Sequence, residues 1–120
     1  MKSKKSNRSE RSGEYFWSRP NGHYALAVIH QNAIYVSGQF AIDPITQEKK
    51  FGTIEEETLQ ALSNIAYILK KAGSHKDKML KVTLYLHDIG LLDRVDNVYQ
   101  GVFDGYQPAL SIVPTNSCTI

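Results

Sequence analysis

A single cysteine, Cys118, in 120 residues rules out any internal disulfide. It has no second thiol and no neighbouring His-x-x-His, so it offers no metal-ligand spacing either, and it fits a reducing compartment. No apolar run approaches the roughly 20 residues needed to span a membrane, and the basic start is not followed by the apolar stretch of a secretory signal. A soluble, cytoplasmic protein with no membrane partner is therefore expected. His23, His30, His75 and His87 are scattered without His-x-x-His or Glu-x-x-His spacing, so no metal is expected. Gly101 and Gly105 flank Phe103 without phosphate-loop or dinucleotide spacing, so no cofactor is expected. Internal repeats are absent, and no linker is long enough to divide the chain. One domain with one core follows.

Charge is present but unevenly spread. Lys2, Lys4, Lys5, Arg8 and Arg11 stand against Glu10 in the first twelve residues, so the net charge of +2 belongs to the start of the chain. Ser3, Ser6, Ser9 and Ser12 are interleaved, with no aliphatic or aromatic residue after Met1. Residues 1–13 thus cannot bury enough surface to offset their ordering entropy, and are expected to form a disordered basic tail ahead of a domain at 14–120. Such a tail could touch nucleic acid electrostatically, but it lacks the interleaved aromatics that single-strand binding favours.

Past the tail, Tyr15-Phe16-Trp17 begins the apolar signal, and Arg19-Pro20-Asn21-Gly22 is a turn cluster. Tyr24 to His30 and Ala33 to Ser37 read as two antiparallel strands joined by a turn at Gln31-Asn32. From Thr53 the apolar period changes to about 3.6: Thr58, Leu62, Ile65, Leu69 and Ala72 share a face, widened by Ala61 and Ile68. Thr53 with Glu56 predicts a capping box, Glu55 to Glu57 complement the positive end of the dipole, and Gly73 suits the left-handed position past the helix end. Met79 to Leu86 alternates Leu80, Val82, Leu84 and Leu86 against polar neighbours, as a half-buried strand does. Asp88 to Gly90 turns the chain, Leu92, Val95, Val98, Tyr99 and Val102 mark a second helix, and Ala109 to Val113 a last strand before Pro114. The expected order is β-β-α-β-α-β, an α+β domain with both helices on one sheet face. The other face would leave Tyr35 and Tyr85 as an exposed aromatic patch, which usually marks an interface.

Several segments carry a resemblance. Gly22-His23-Tyr24, Tyr35-Val36-Ser37-Gly38-Gln39, Asp43-Pro44, Glu57 to Leu62, Lys81-Val82-Thr83, Val95-Asp96-Asn97-Val98-Tyr99 and Pro108-Ala109-Leu110-Ser111 occur in one order over about Tyr24 to Val113. Together they resemble the reactive-intermediate deaminase (Rid, or YjgF) family, whose older name is L-PSP endoribonuclease. The resemblance implies a chorismate-mutase-like fold and a homotrimer with ligand clefts between subunits. It also implies a small imino or enamino acid as ligand, with Tyr24 walling the cleft, Ser37 offering a hydroxyl at its floor, Asn97 bordering it, and Leu110 and Ser111 on the last strand. Plainer roles stand beside these: Tyr24 as an interface residue, Ser37 as a small packing residue, Asn97 as a cap or a solvated side chain. Gly38 is read as removing a side chain beside whatever packs against the strand end, and Asp43 as a turn residue before Pro44 rather than an acid catalyst.

Two departures bear on function. Active relatives carry an arginine after Pro-Ala, where a guanidinium's planar fork clamps a carboxylate; here the position is Leu110, which has no donor. The family's closing Ile-Glu-Ile-Glu strand, with a glutamate thought to handle the hydrolytic water, has no counterpart up to Ile120, so the final strand is expected to be missing. No catalytic residue is therefore assigned. The expected function is an imine or enamine deaminase-like hydrolase with weak activity on standard 2-imino acids. The alternatives are a non-catalytic ligand-binding or chaperone-like trimer, or an RNA-acting translation inhibitor or endoribonuclease.

Overall fold

In the computed structural model of the chain, residues 14–18, 25–43 and 45–115 are described, 14–18 as backbone alone. Five strands and two helices follow in the order β1 (Glu14–Ser18), β2 (Ala25–His30), β3 (Ala33–Val36), α1 (Ile54–Lys71), β4 (Lys81–Leu86), α2 (Leu92–Val102) and β5 (Ala109–Pro114). This is a small α+β domain. The expected tail at 1–13, the Arg19 to Gly22 turn, Tyr24 and the segment after Thr115 lie outside the described residues.

The hairpin between β2 and β3 closes at Gln31 and Asn32, both at positive φ (49° and 67°), the geometry whose twist matches a two-residue antiparallel connection. Val28 faces Tyr35 and Ile29 faces Ile34 across it. One strand more than the sequence suggests precedes this hairpin, because the Tyr15-Phe16-Trp17 segment pairs with β2 as β1, through an irregular antiparallel register. Its bulged pairing explains why no clean alternation announces it.

Helix α1 begins as its sequence dictates. The Thr53 side chain accepts from the Glu56 N–H, and Glu56 accepts in return from the Thr53 N–H. At the other end, Gly73 takes φ 87° just past the cap residue Ala72. Helix α2 starts through a 3-10 turn in which the Asp88 carboxylate accepts from the Gly90 N–H.

The expectation of one sheet is corrected among the described residues. Strands β1-β2-β3 form one antiparallel sheet, and β4 pairs in parallel with β5 to form a second. No hydrogen bond joins β3 to β4, so α1 holds the two together. Its Leu62 packs with Val82 of β4 and with Tyr99 and Phe103 at α2, while its Ile68 packs on Leu26 and Ala27 of β2. Each such fully buried aliphatic side chain contributes about 1.5–3 kcal/mol, so the helix stripe is what couples the sheets. Leu80 corrects another expectation: it precedes the paired register of β4 and is 80% exposed, whereas Val82 and Leu86 are buried.

Candidate functional site

Strand β3 ends at Val36, and the chain leaves the sheet through Ser37, Gly38 and Gln39. Ser37 is pinned on both sides: its N–H donates to the Leu26 carbonyl and its hydroxyl donates 2.7 Å to the Ala25 carbonyl. With its proton engaged on the backbone, the half-buried Ser37 oxygen is left to accept rather than donate. Gln39 folds back to donate to the Ser37 carbonyl.

Gly38 differs from its sequence reading in an instructive way. A Cβ built there meets nothing within 4 Å, and its φ is not in the left-handed region. Among the described residues, neither packing nor backbone conformation calls for glycine at this exposed position.

The segment continues to Asp43, whose carboxylate accepts from the Ile45 N–H (2.8 Å) and the Thr46 N–H (2.9 Å). These two backbone donors, Thr46 first, hold the Asp43 carboxyl below its ordinary range. Asp43 is a turn residue, as its place before Pro44 suggested. Opposite it, the turn closes into a short hairpin by the bridge of Ile42 to Lys49.

Leu110 and Ser111 lie on β5, opposite Val82 and Thr83 of β4 respectively, and so face opposite sides of the two-stranded sheet. Leu110 is 37% exposed and Ser111 half-buried; Pro108, just before the strand, is buried. Asn97 is exposed on α2, and its side chain makes no hydrogen bond to another described residue. Ser37, Asn97, Leu110 and Ser111 are thus spread over the end of one sheet, a helix and the second sheet, and no hydrogen bond within the described residues links them. Tyr24 lies outside that set.

A carboxylate clamp is not supplied from elsewhere among the described residues. Arg94 carries their single guanidinium, and it is committed to Glu55, donating 2.7 Å from Nε to Oε2 and 2.7 Å from Nη2 to Oε1. This fork, together with the backbone at the start of α1, lowers the Glu55 pKa to about 2.

Sequence reasoning missed Asn64. It is 1% exposed, at the centre of α1, and donates from Nδ2 to the carbonyls of Phe40 (3.0 Å) and Ile42 (2.7 Å), while its Oδ1 accepts from Gln60 (2.7 Å). The available signal was a polar residue four before Ile68 and three after Ala61, inside the apolar stripe.

A family model described as Endoribonuclease L-PSP matches residues 17–118. A RutC family protein of Pyrococcus abyssi is 38% identical over 91 residues, which span 76% of this chain and 72% of that protein. The 2-iminobutanoate/2-iminopropanoate deaminase of Rattus norvegicus is 40% identical over 88 residues, 73% of this chain. That match spans 64% of the rat enzyme, less than two thirds of its length. A solved structure from Yersinia pestis, a protein of unknown function of the conserved Rid protein family, superposes with a TM-score of 0.78 at 33% identity, covering 84% of this chain and 81% of that one.

Proposed function

The chain belongs to the endoribonuclease L-PSP family, which includes the Rid proteins, and from that premise we propose that it takes a small imino or enamino metabolite into a cleft completed by a neighbouring copy of itself. Gly38 carries this reading. A bare α-carbon at a strand end, beside a fixed serine, with no described residue where a side chain would sit, supports a surface that receives a ligand or a neighbouring copy. The Tyr35 and Tyr85 side chains, 62% and 64% exposed on the sheet surfaces that the helices do not cover, supply an apolar contact for copies arranged as a trimer.

In such a cleft the Ser37 oxygen accepts a hydrogen bond from substrate or water, Tyr24 and Asn97 are the walls that the family resemblance implies, and β5 closes the far side through Leu110, with Ser111 on the other face of that strand. The reaction adds water across the C=N bond of an imine, or of an enamine once it has tautomerised. The resulting carbinolamine collapses to a carbonyl and releases ammonia. Positioning and backbone donors are the contributions that this chain offers to that step.

Leu110 decides which substrates suit it. Without a guanidinium, a carboxylate loses a charge-assisted bond of about 1.5–3 kcal/mol, or about tenfold to a hundredfold in affinity. Turnover of standard 2-imino acids is therefore weak, and ligands without a carboxylate are favoured. The same leucine favours a second reading, in which the trimer binds a small ligand without turning it over.

The test is keto-acid and ammonia release from freshly generated 2-aminoacrylate and 2-iminobutanoate by the wild type and by Leu110→Arg. We expect the variant to gain at least tenfold in kcat/KM. Equal, high activity in both proteins would remove the role given to Leu110, and silence in both would leave the binding reading.

A further inference from the structure

We propose that Asn64 is the positioning residue of the Ser37–Gly38 surface, an inference that rests on the site reading above. The residues from Gly38 to Asp43 belong to neither sheet, yet Ala41 is buried within them. The backbone bends at Ala41, and the carbonyls on either side of the bend, those of Phe40 and Ile42, both reach one side-chain amide. Asn64 meets both with its two N–H donors, in the place where a neighbouring strand would otherwise pair. Its oxygen is filled by Gln60, which fixes the direction of the amide, since a flipped Asn64 would set its oxygen against two carbonyls and its N–H groups against the Gln60 donor.

The consequence runs to the exposed surface. Ser37 is fixed to β2 by two hydrogen bonds, and Phe40 is fixed to α1 by Asn64, so Gly38 and Gln39 are held from both ends across a span of three residues. The exposed backbone of Gly38 needs no side chain of its own to be rigid. An aliphatic residue at 64 would continue the apolar stripe of α1, and a buried hydrogen bond adds little net stability over apolar packing. What the asparagine adds is direction: a fully satisfied buried polar network fixes one backbone path where apolar packing accepts several.

The experiment compares the full-length wild type with Asn64→Leu, Asn64→Asp and Gln60→Ala by backbone amide shifts and hydrogen exchange, and by turnover of 2-iminobutanoate in the Leu110→Arg background. In Asn64→Leu, the Ser37, Gly38 and Gln39 amide shifts should move, and the Asp43 and Lys50 amides, which donate to Glu48 and Ala41, should exchange at least tenfold faster. Protection in β4 and α2 should stay as in the wild type, and kcat should fall at least tenfold with a smaller change in KM. Asn64→Asp, which faces a carboxylate to two carbonyls, should be the more severe; Gln60→Ala, which keeps both donors, should be the milder. Unchanged shifts at Ser37 to Gln39 in Asn64→Leu, or a uniform loss of protection throughout the domain, would overturn the proposal. If the Leu110→Arg protein is itself inactive, the deaminase reading fails, and the amide shifts still decide whether Asn64 sets the surface.

Discussion

Glu55 and Arg94 show how much one pair of side chains can say about pH. Their fork joins the first turn of α1 to the first turn of α2, with both side chains about half exposed. The folded Glu55 pKa, about 2, lies below its ordinary 4.5, so the unfolded chain binds the proton more readily. The stabilisation is therefore complete above about pH 4.5 and is lost as pH falls toward 2. Thermal unfolding of the wild type and Arg94→Met should differ at pH 6 and converge as pH falls through this window. Curves that remain equally spaced from pH 6 to pH 2 would show that the fork does not perturb Glu55. Asp43 is depressed in the same direction by backbone donors, so its turn should loosen over the acid range as well.

At the scale of elements, α1 organises the domain and its start is written locally. Thr53, Glu56 and the acidic first turn answer the unpaired N–H groups and the dipole, without reference to anything distant. Removing the cap by Thr53→Ala should cost about 1 kcal/mol and lower Tm by about 4 °C, read by circular dichroism, with the Ser37 to Gln39 amide shifts unmoved. Gly52 supports the same cap differently: a Cβ there would run into the Glu56 carboxylate oxygen, so the box leaves no room for a side chain in its present form. Both helices and the β2–β3 hairpin were legible in sequence because capping, period and turn chemistry are local. Strand β1 was not, because its pairing is irregular and only its partner reveals it. Leu80 was misread because alternation alone does not say where pairing begins.

For the whole molecule, the split into two sheets and the exposed tyrosines raise the question of assembly. Tyr85 sits opposite Val113 across the β4–β5 pair, on the side away from the buried Val82 and Leu86. If copies meet through this surface, light scattering should give a mass three times that of the chain, and Tyr85→Asp should shift it toward one. A three-chain mass that persists in Tyr85→Asp would place the interface elsewhere. Among the described residues no helix is long and apolar enough to cross a membrane.

The order of segments over about Tyr24 to Val113 was enough to suggest the family, and the family model's match over residues 17–118 agrees. Sequence also singled out Leu110, because the absence of a donor is a property of the residue itself. Tertiary structure alone decided the rest. It showed that Gly38 answers to nothing among the described residues, that Arg94 is already occupied by Glu55, and that a buried asparagine on α1 holds a segment more than twenty residues away in sequence. The physical reason is common to all three. Caps, turns and periodicity depend on neighbours a few residues apart, whereas empty space, charge pairing and the direction of a buried amide depend on what the fold brings beside them.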